Sequence, residues 1–455
     1  MRVVCVDFGS TFTKLLVVDT ETGDVIASSS ASTTIESDVM DGFDSAKLLV
    51  KEIVPDVDDL AVHACSSAGG GLRLAVVGYE RAITAEAGFR VGLSAGAKVV
   101  HVASGTLTHE SVVDLNHQAP DVLLLVGGTD GGNSEVLLAN ARTLASSGLE
   151  VPIVVAGNAE VRDQVVRILR RRGVVTYSCA NVLPHIGVLD PVPARTTIRE
   201  VFIDHVIGGK HLSSRTDLRT FVEAATPDAV LTGVELLADG SDDVDGVGDV
   251  VVVDVGGATT DVYSVVTPDA EQDHLEREAV STLWRSRTVE GDLGVRWNAV
   301  GIVDAALQEQ LIDADEAGEL IPAASQRVAD PGYLPKDENQ AAVDRTLAEL
   351  AATVALRRHA RPYDSGSVRY SGKDLRKVAL VVGSGGVLRH SPPTSSVEAI
   401  ARAVSDPPGG WRNPDHARVV VDTTYVLAAA GLLAGEYRTA ALRLLQRQLL
   451  VDAAS

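Results

Sequence analysis

The chain says the same short phrase twice. Residues 2–28 read RVVCVDFGSTFTKLLVVDTETGDVIAS, and residues 249–266 read DVVVVDVGGATTDVYSVV. In register, Asp7 falls on Asp254, Gly9 on Gly256, Ser10 on Gly257, Thr13 on Thr260 and Lys14 on Asp261. Each copy is an apolar run of strand length, an Asp-x-Gly turn of small and hydroxyl residues, and a second apolar run. That pattern predicts a β-hairpin closed by a tight turn. In the first copy Glu21 to Asp24 turns the chain into a third strand, Val25 to Ser28. Two such units imply two similar lobes, each opening on a hairpin that points its glycine turn inward. The length, 455 residues, suits two to four domains of roughly 150 residues.

A third glycine turn follows a third strand-like run. Val378 to Val382 leads into Gly383-Ser384-Gly385-Gly386-Val387, then a helical pattern over 396–404, a Pro/Gly-rich loop, a strand at Val419 to Val421 and an Ala-rich helix from Thr424 to Leu433. Between the two hairpin units, apolar runs at 99–102, 122–126 and 153–156 alternate with amphipathic segments at 134–147 and 159–172. Such alternation predicts a parallel sheet covered by helices. The division expected is therefore 1–62 for the start of the first lobe and 63–225 for an inserted α/β domain. A connecting helix and acidic linker follow at 226–248, with the second lobe at 249–455. Residues 216–240 read as helix, and residues 303–360 read as helices with a loop near DPGYLPKD.

The composition narrows the function. Lys plus Arg is 40 against 62 for Asp plus Glu, a formal charge of -22, so phosphate backbones and anionic lipid are repelled and no nucleic-acid or membrane partner is expected. Cys5, Cys65 and Cys179 form no C-x-x-C pair, and Asp7 interrupts what would be a secretory apolar region. Both features suit a reducing, cytoplasmic setting. The eleven histidines show no metal spacing. No Asp-x-His-x-x-Gly occurs, which argues against a cobalamin carried on a histidine of this chain.

The turns carry the chemistry. Gly9, Ser10, Thr11, Thr13 and Lys14 supply backbone N–H groups, hydroxyls and a point charge for a phosphate tail, while Asp7 can hold hydrated Mg²⁺. Gly256, Gly257, Thr259 and Thr260, with Asp254, repeat that logic from the opposite lobe. Either turn alone reads equally well as a hairpin without a ligand. Facing each other, the two would clamp β- and γ-phosphates and a metal, with Gly383, Ser384, Gly385 and Gly386 against an adenosine. Gly127-Gly128-Thr129-Asp130-Gly131-Gly132-Asn133 is a βα turn that could hold an anion, with an ordinary tight turn the favoured alternative. Glu290 to Gly294 with Arg296 is either a loop closing over the nucleotide or a solvated turn.

DFGSTFTK, DVGGATTD and VVGSGGV in that order resemble the phosphate and adenosine motifs of the actin, heat-shock-chaperone ATPase and sugar-kinase superfamily. Leu231 to Ala238 and Tyr425 to Gly435 match its two connecting helices. With LLVGGTDGGN and RTVEGDLGVRWN included, nearly the whole chain resembles the MutL family found beside glutamate mutase and aminomutase genes, unrelated to the mismatch-repair protein of the same name. That resemblance implies an α/β, actin-like ATPase fold of two duplicated lobes around a nucleotide cleft, plus the inserted domain. It also implies an ATP-dependent reactivating chaperone for an adenosylcobalamin-dependent mutase, helping it release inactivated cobalamin. ATP and Mg²⁺ are then the cofactors, Asp7 and Asp254 position the metal's waters, and Asp254 or Glu235 orients the attacking water. A cobalamin-dependent mutase is the expected partner, and self-association stays open. A small-molecule kinase of the same fold and an actin-like structural ATPase are the alternatives.

Overall fold

The computed structural model describes residues 1–35, 37–68, 72–95, 97–207, 212–215, 217–267, 285–364, 369–370, 373–406, 412–414 and 416–450. The first lobe begins with β1 (Arg2–Phe8), β2 (Phe12–Asp19), β3 (Val25–Ser32) and β4 (Ala61–Ser66). The chain then leaves to build a second sheet from β5 (Arg73–Gly78), β6 (Lys98–Ser104), β7 (Val122–Leu125), β8 (Ile153–Val155) and β9 (Thr176–Ser178). It returns as β10 (Val222–Ala225), and a small hairpin, β11 (Gly240–Ser241) and β12 (Val244–Asp245), leads onward. The second lobe holds β13 (Val250–Val255), β14 (Thr260–Val265) and β15 (Arg285–Glu290). After a two-stranded ribbon, β16 (Tyr363–Asp364) and β17 (Arg369–Tyr370), come β18 (Leu380–Ser384) and β19 (Arg418–Val421).

The duplication in the sequence is a duplication of sheets. The first lobe's order is β3-β2-β1-β4-β10 and the second's is β15-β14-β13-β18-β19. In each, the hairpin pairs are antiparallel and the two following strands run parallel to the first. This is the α/β, actin-like architecture of two matching lobes.

The central strands are apolar throughout because both of their faces are covered. Val4, Val6 and Phe8 of β1 enter one core with Phe43 and Val39, while Val3 and Cys5 enter another. In β13 the same alternation sends Val251, Val253 and Val255 into the second lobe's own core and Val250 and Val252 into the shared one. The shared core is filled by the helices Thr226–Asp239 and Val426–Leu433, which lie between the sheets, together with the C-terminal helix Arg438–Leu449. The first two cross closely. A Cβ on Gly431 would sit 1.8 Å from Ala229 O, and one on Gly233 would sit 2.2 Å from Leu427 O.

The inserted sheet has the order β6-β5-β7-β8-β9, all parallel. Ala75, Val77, Leu123 and Leu125 face the helices Glu135–Ser146 and Arg162–Arg170. Leu74, Val76, Val122 and Leu124 face the other way, into a core continuous with the first lobe's. The insert is narrower than the expected 63–225, since β4 and β10 both pair inside the first lobe's sheet. Short parallel strands buried on both faces carry no mark of which sheet they join. Residues 216–240 likewise hold strand β10 between a short helix, Asp217–Phe221, and the long one. Among the described residues no helix is long and apolar enough to cross a membrane.

Candidate functional site

The two hairpin turns are built alike and meet across a cleft. Gly9 N–H donates to Phe12 O at 3.2 Å, and Gly256 N–H donates to Thr259 O at 2.9 Å. A Cβ would lie 2.6 Å from the acceptor oxygen in the first turn and 2.8 Å in the second, so both turns need glycine. The turns are near neighbours: a Cβ on Gly257 would be 3.9 Å from Thr11 Oγ1. They open into a cavity of about 1010 Å³ between the lobes, large enough for a ligand the size of a nucleotide.

The charges differ between the copies. At the end of β1, Asp7 stands directly opposite Lys14, and Lys14 Nζ donates to Asp7 Oδ2 at 3.0 Å. Thr226 Oγ1, at the start of the connecting helix, donates to Asp7 Oδ1 at 2.6 Å. Burial opposes the charge on Lys14, but Asp7, Tyr425 and Asp254 outweigh it and hold the ammonium above its ordinary pKa. In the second copy the opposing pair is Asp254 and Asp261, two carboxylates. Asp261 is satisfied by Arg287 Nε at 2.8 Å and by Thr259 Oγ1 at 2.9 Å. Among the described residues Asp254 has no such cation in the second lobe. Burial pushes its carboxyl up to about 6, Lys14 opposes that rise, and Asp261 and Asp7 add to it.

Twelve of the sequence-derived residues line this cavity: Asp7, Gly9, Ser10, Thr11, Lys14, Asp254, Gly256, Gly257, Thr259, Ser384, Gly385 and Gly386. Four do not. Thr13 and Thr260 occupy equivalent places and point away from the cleft, because successive residues of a strand face opposite sides. Thr13 Oγ1 meets Thr33 Oγ1 at 3.0 Å, and Thr260 Oγ1 donates to Leu293 O at 2.6 Å. Gly383 lies within β18, where a Cβ would strike Ile400 Cγ1 at 2.7 Å. Glu235 is the fourth. It accepts from Arg195 Nη1 at 2.6 Å and is not among the cleft's lining residues, so the geometry does not offer it to an attacking water.

The third glycine turn would be strained with any other residue. Gly385 has φ +114, and a Cβ there would meet Val255 O at 2.1 Å. Arg296, Tyr333, Glu338, Arg345 and Arg389 line the cavity beside it and were not picked out as binding residues from sequence, Arg296 excepted as part of a possible loop. Tyr333 Oη and Arg345 Nη1 are buried without a hydrogen-bond partner among the described residues. Nothing in the local pattern of residues 330–345 marks them, since a Tyr in a Pro-Gly turn and an Arg on a helix are ordinary surface residues. The stretch Glu290 to Asn298 backs the second turn rather than closing over it. Arg296 N–H and Trp297 N–H donate to Gly257 O at 2.9 and 3.0 Å, and Asn298 Nδ2 donates to Ala258 O at 3.0 Å.

The glycine loop of the insert sits elsewhere. Arg73 and Lys98, the first residues of β5 and β6, line the cleft, so the parallel strands run away from it. Gly127 to Asn133 follows β7 at the far edge. Its polar groups are used internally: Asn181 Nδ2 donates to Gly128 O at 3.0 Å and Asp130 Oδ1 at 2.9 Å, and Asn158 Nδ2 donates to Gly132 O at 3.1 Å. The tight-turn reading describes it.

A family model described as MutL protein matches residues 3–449. The chain belongs to the MutL family. It is 38% identical over 456 residues to Protein MutL of Clostridium tetanomorphum, covering 97% of this chain and 98% of the relative. The insert and the three glycine turns all lie within the matched residues. Among solved structures, similarity is distant. Acetone carboxylase in its nucleotide-free form is 15% identical with a TM-score of 0.40, over 95% of this chain and 70% of that one. The activator of 2-hydroxyisocaproyl-CoA dehydratase from Clostridium difficile is 13% identical with a TM-score of 0.28, over 97% and 96%. Xylulose kinase from Bifidobacterium adolescentis is 13% identical with a TM-score of 0.33, over 99% and 96%.

Proposed function

We propose that the chain is an ATP-hydrolysing chaperone that reactivates an adenosylcobalamin-dependent mutase of the glutamate mutase or aminomutase type. The observation that carries the ATP half is the meeting of two equivalent Asp-ended turns across one cleft that also holds the adenosine turn. The backbone amides and hydroxyls of Ser10, Thr11, Gly257 and Thr259 would bind the phosphates, and Ser384 to Gly386 with Tyr333 and Arg345 the nucleoside. The unpartnered Tyr333 hydroxyl and Arg345 Nη1 suit a ribose and a purine.

Among the described residues no three His, Cys, Asp or Glu converge to hold a bare metal ion. The donor set instead suits Mg²⁺ held through its waters and the phosphates, with Asp7 and Asp254 accepting from that shell. Mg²⁺ bound there would neutralise charge that develops on the transferring phosphoryl group. Asp254 orients the attacking water by accepting a hydrogen bond from it.

The insert is tied to both moving parts. Arg195 Nε and Arg199 Nε donate to Asp228 at 3.0 and 2.5 Å on the connecting helix, and the helix Glu86–Ser94 packs against β15. Lobe motion on turnover would thus shift the insert, which would hand it to the mutase. The test measures ATP turnover with and without a purified cobalamin-dependent mutase, and recovery of mutase activity after its cofactor is inactivated. Stimulated turnover with recovery supports the reading. Phosphate transfer to a small hydroxyl acceptor, with no effect on the mutase, would replace it by a kinase.

A further inference from the structure

Tyr425 holds the backbone of a glycine. Its φ is 60° and its ψ 42°, the left-handed region that a bulky side chain rarely enters. The residue stands immediately before the helix Val426–Leu433. Asp422 fixes that helix start: its buried carboxylate accepts N–H groups from Thr424 and Val426, both at 3.1 Å, and from Leu427 at 3.3 Å. Asp422 is itself anchored to the adenosine strand, donating N–H to Gly383 O at 2.8 Å.

The conformation delivers the ring into the cleft, between cations from the two lobes. Lys14 Nζ of the first phosphate turn lies 3.9 Å from the ring centroid, and Arg389 Cζ, just beyond the adenosine turn, lies 4.8 Å from it. The phenol oxygen is 4.0 Å from where a Cβ on Gly386 would stand. One side chain therefore contacts Lys14 of the first lobe and Arg389 of the second while its backbone leads into a connecting helix.

We propose that Tyr425 is a positioning residue that presents Lys14 to the terminal phosphates and carries their presence to the connecting helix. This rests on the reading of the cleft as an ATP site. A π-face suits the task better than a second carboxylate would. It holds the ammonium in place by a cation–π contact, yet releases it to a phosphate without stranding a bare charge. Asp7 alone, at 3.0 Å, would draw Lys14 toward the end of β1. When the ammonium shifts onto a phosphate, the ring loses one of its two cations. The helix that follows is the one that crosses Gly233 at Gly431, so a change at the residue that caps it is passed toward the close crossing of the two connecting helices.

The test compares Tyr425→Phe, which keeps the ring, with Tyr425→Gly, which removes it while suiting the left-handed backbone. Affinities are measured for AMP and for the non-hydrolysable analogue AMP-PNP, with lobe closure followed by small-angle scattering. Tyr425→Gly is expected to weaken AMP-PNP about tenfold, to leave AMP within about twofold, and to abolish the compaction that AMP-PNP causes. Tyr425→Phe is expected to match the wild type, and Tyr425→Gly should add nothing to the loss caused by Lys14→Met. Equal loss of AMP and AMP-PNP, or unchanged AMP-PNP affinity in Tyr425→Gly, would overturn the proposal and leave the ATP reading standing. Wild-type protein that binds neither nucleotide would instead remove the ATP reading itself.

Discussion

Asp254→Asn should make the nucleotide-free protein more stable while destroying its turnover. The side chain keeps its size and can still accept from Ser384, whose hydrogen bond is among the influences on the carboxylate. What it loses is a charge that burial and two neighbouring carboxylates disfavour. The carboxyl rises from an ordinary 3.8 to about 6, and each pKa unit is worth about 1.4 kcal/mol. Ionised Asp254 therefore costs the folded state about 3 kcal/mol. The sign follows from linkage: the folded pKa lies above the unfolded one, so the unfolded chain loses its proton first as pH rises. Below about 4 both states are protonated and there is no penalty; through 4 to 6 it grows; above 6 it is complete. Urea unfolding without nucleotide, at a series of pH values from 4 to 7.5, should show the variant gaining roughly 2–3 kcal/mol relative to wild type across that range. ATP turnover should fall at least about a hundredfold, as expected when a water-orienting group is removed. Parallel pH curves, or a variant less stable at pH 7.5, would refute the claim that Asp254 is a destabilised charge that Lys14 only partly offsets.

Arg195→Met should destabilise by about 3–5 kcal/mol in urea unfolding, since Glu235 and Asp228 lose a buried partner, whereas Glu235→Gln should retain ATP turnover because Glu235 lies outside the cleft. Tyr333→Phe should weaken ADP about fivefold in calorimetry, with the unfolding midpoint unchanged, if its unpartnered hydroxyl meets a nucleoside. Gly431→Val should unfold or part the lobes, with a loss above about 4 kcal/mol; a soluble variant of wild-type thermal stability would show that the two helices do not cross this closely. Deleting the insert whole would bare the core it shares with the first lobe, so its role is better probed by point variants than by truncation.

The order of the three glycine turns was legible because each must place backbone against a ligand or a neighbouring strand, and only glycine permits that. The duplicated hairpins were legible for the same reason. Within them the alternation of strand faces was also available, and it separates Lys14 from Thr13 and Asp261 from Thr260. Glu235 misled because a carboxylate on a connecting helix looks free until its partner is known; Arg195 comes from the insert, forty positions earlier in the chain, and no local pattern joins them. Tyr333 and Arg345 were hidden differently. Their meaning lies in hydrogen bonds they do not make, which only packing reveals. The edges of the insert slipped because β4 and β10 are too short for periodicity to assign.

The duplicated topology also fixes where a pull would be felt. In the second lobe the crossover from β18 to β19 starts with the adenosine turn; in the first, the matching crossover from β4 to β10 is the insert. In one lobe that seat is a short glycine turn on the cleft, and in the other a whole domain hangs from it. The suspension is short. Ser66, the last residue of β4, is paired with Phe8, and Ser67 N–H donates to Phe8 O at 2.9 Å. Tension applied to the insert by a bound protein is thus delivered, one hydrogen-bonded strand away, to the residue that precedes Gly9. The same path runs in reverse, so the first glycine turn and the insert are mechanically in series.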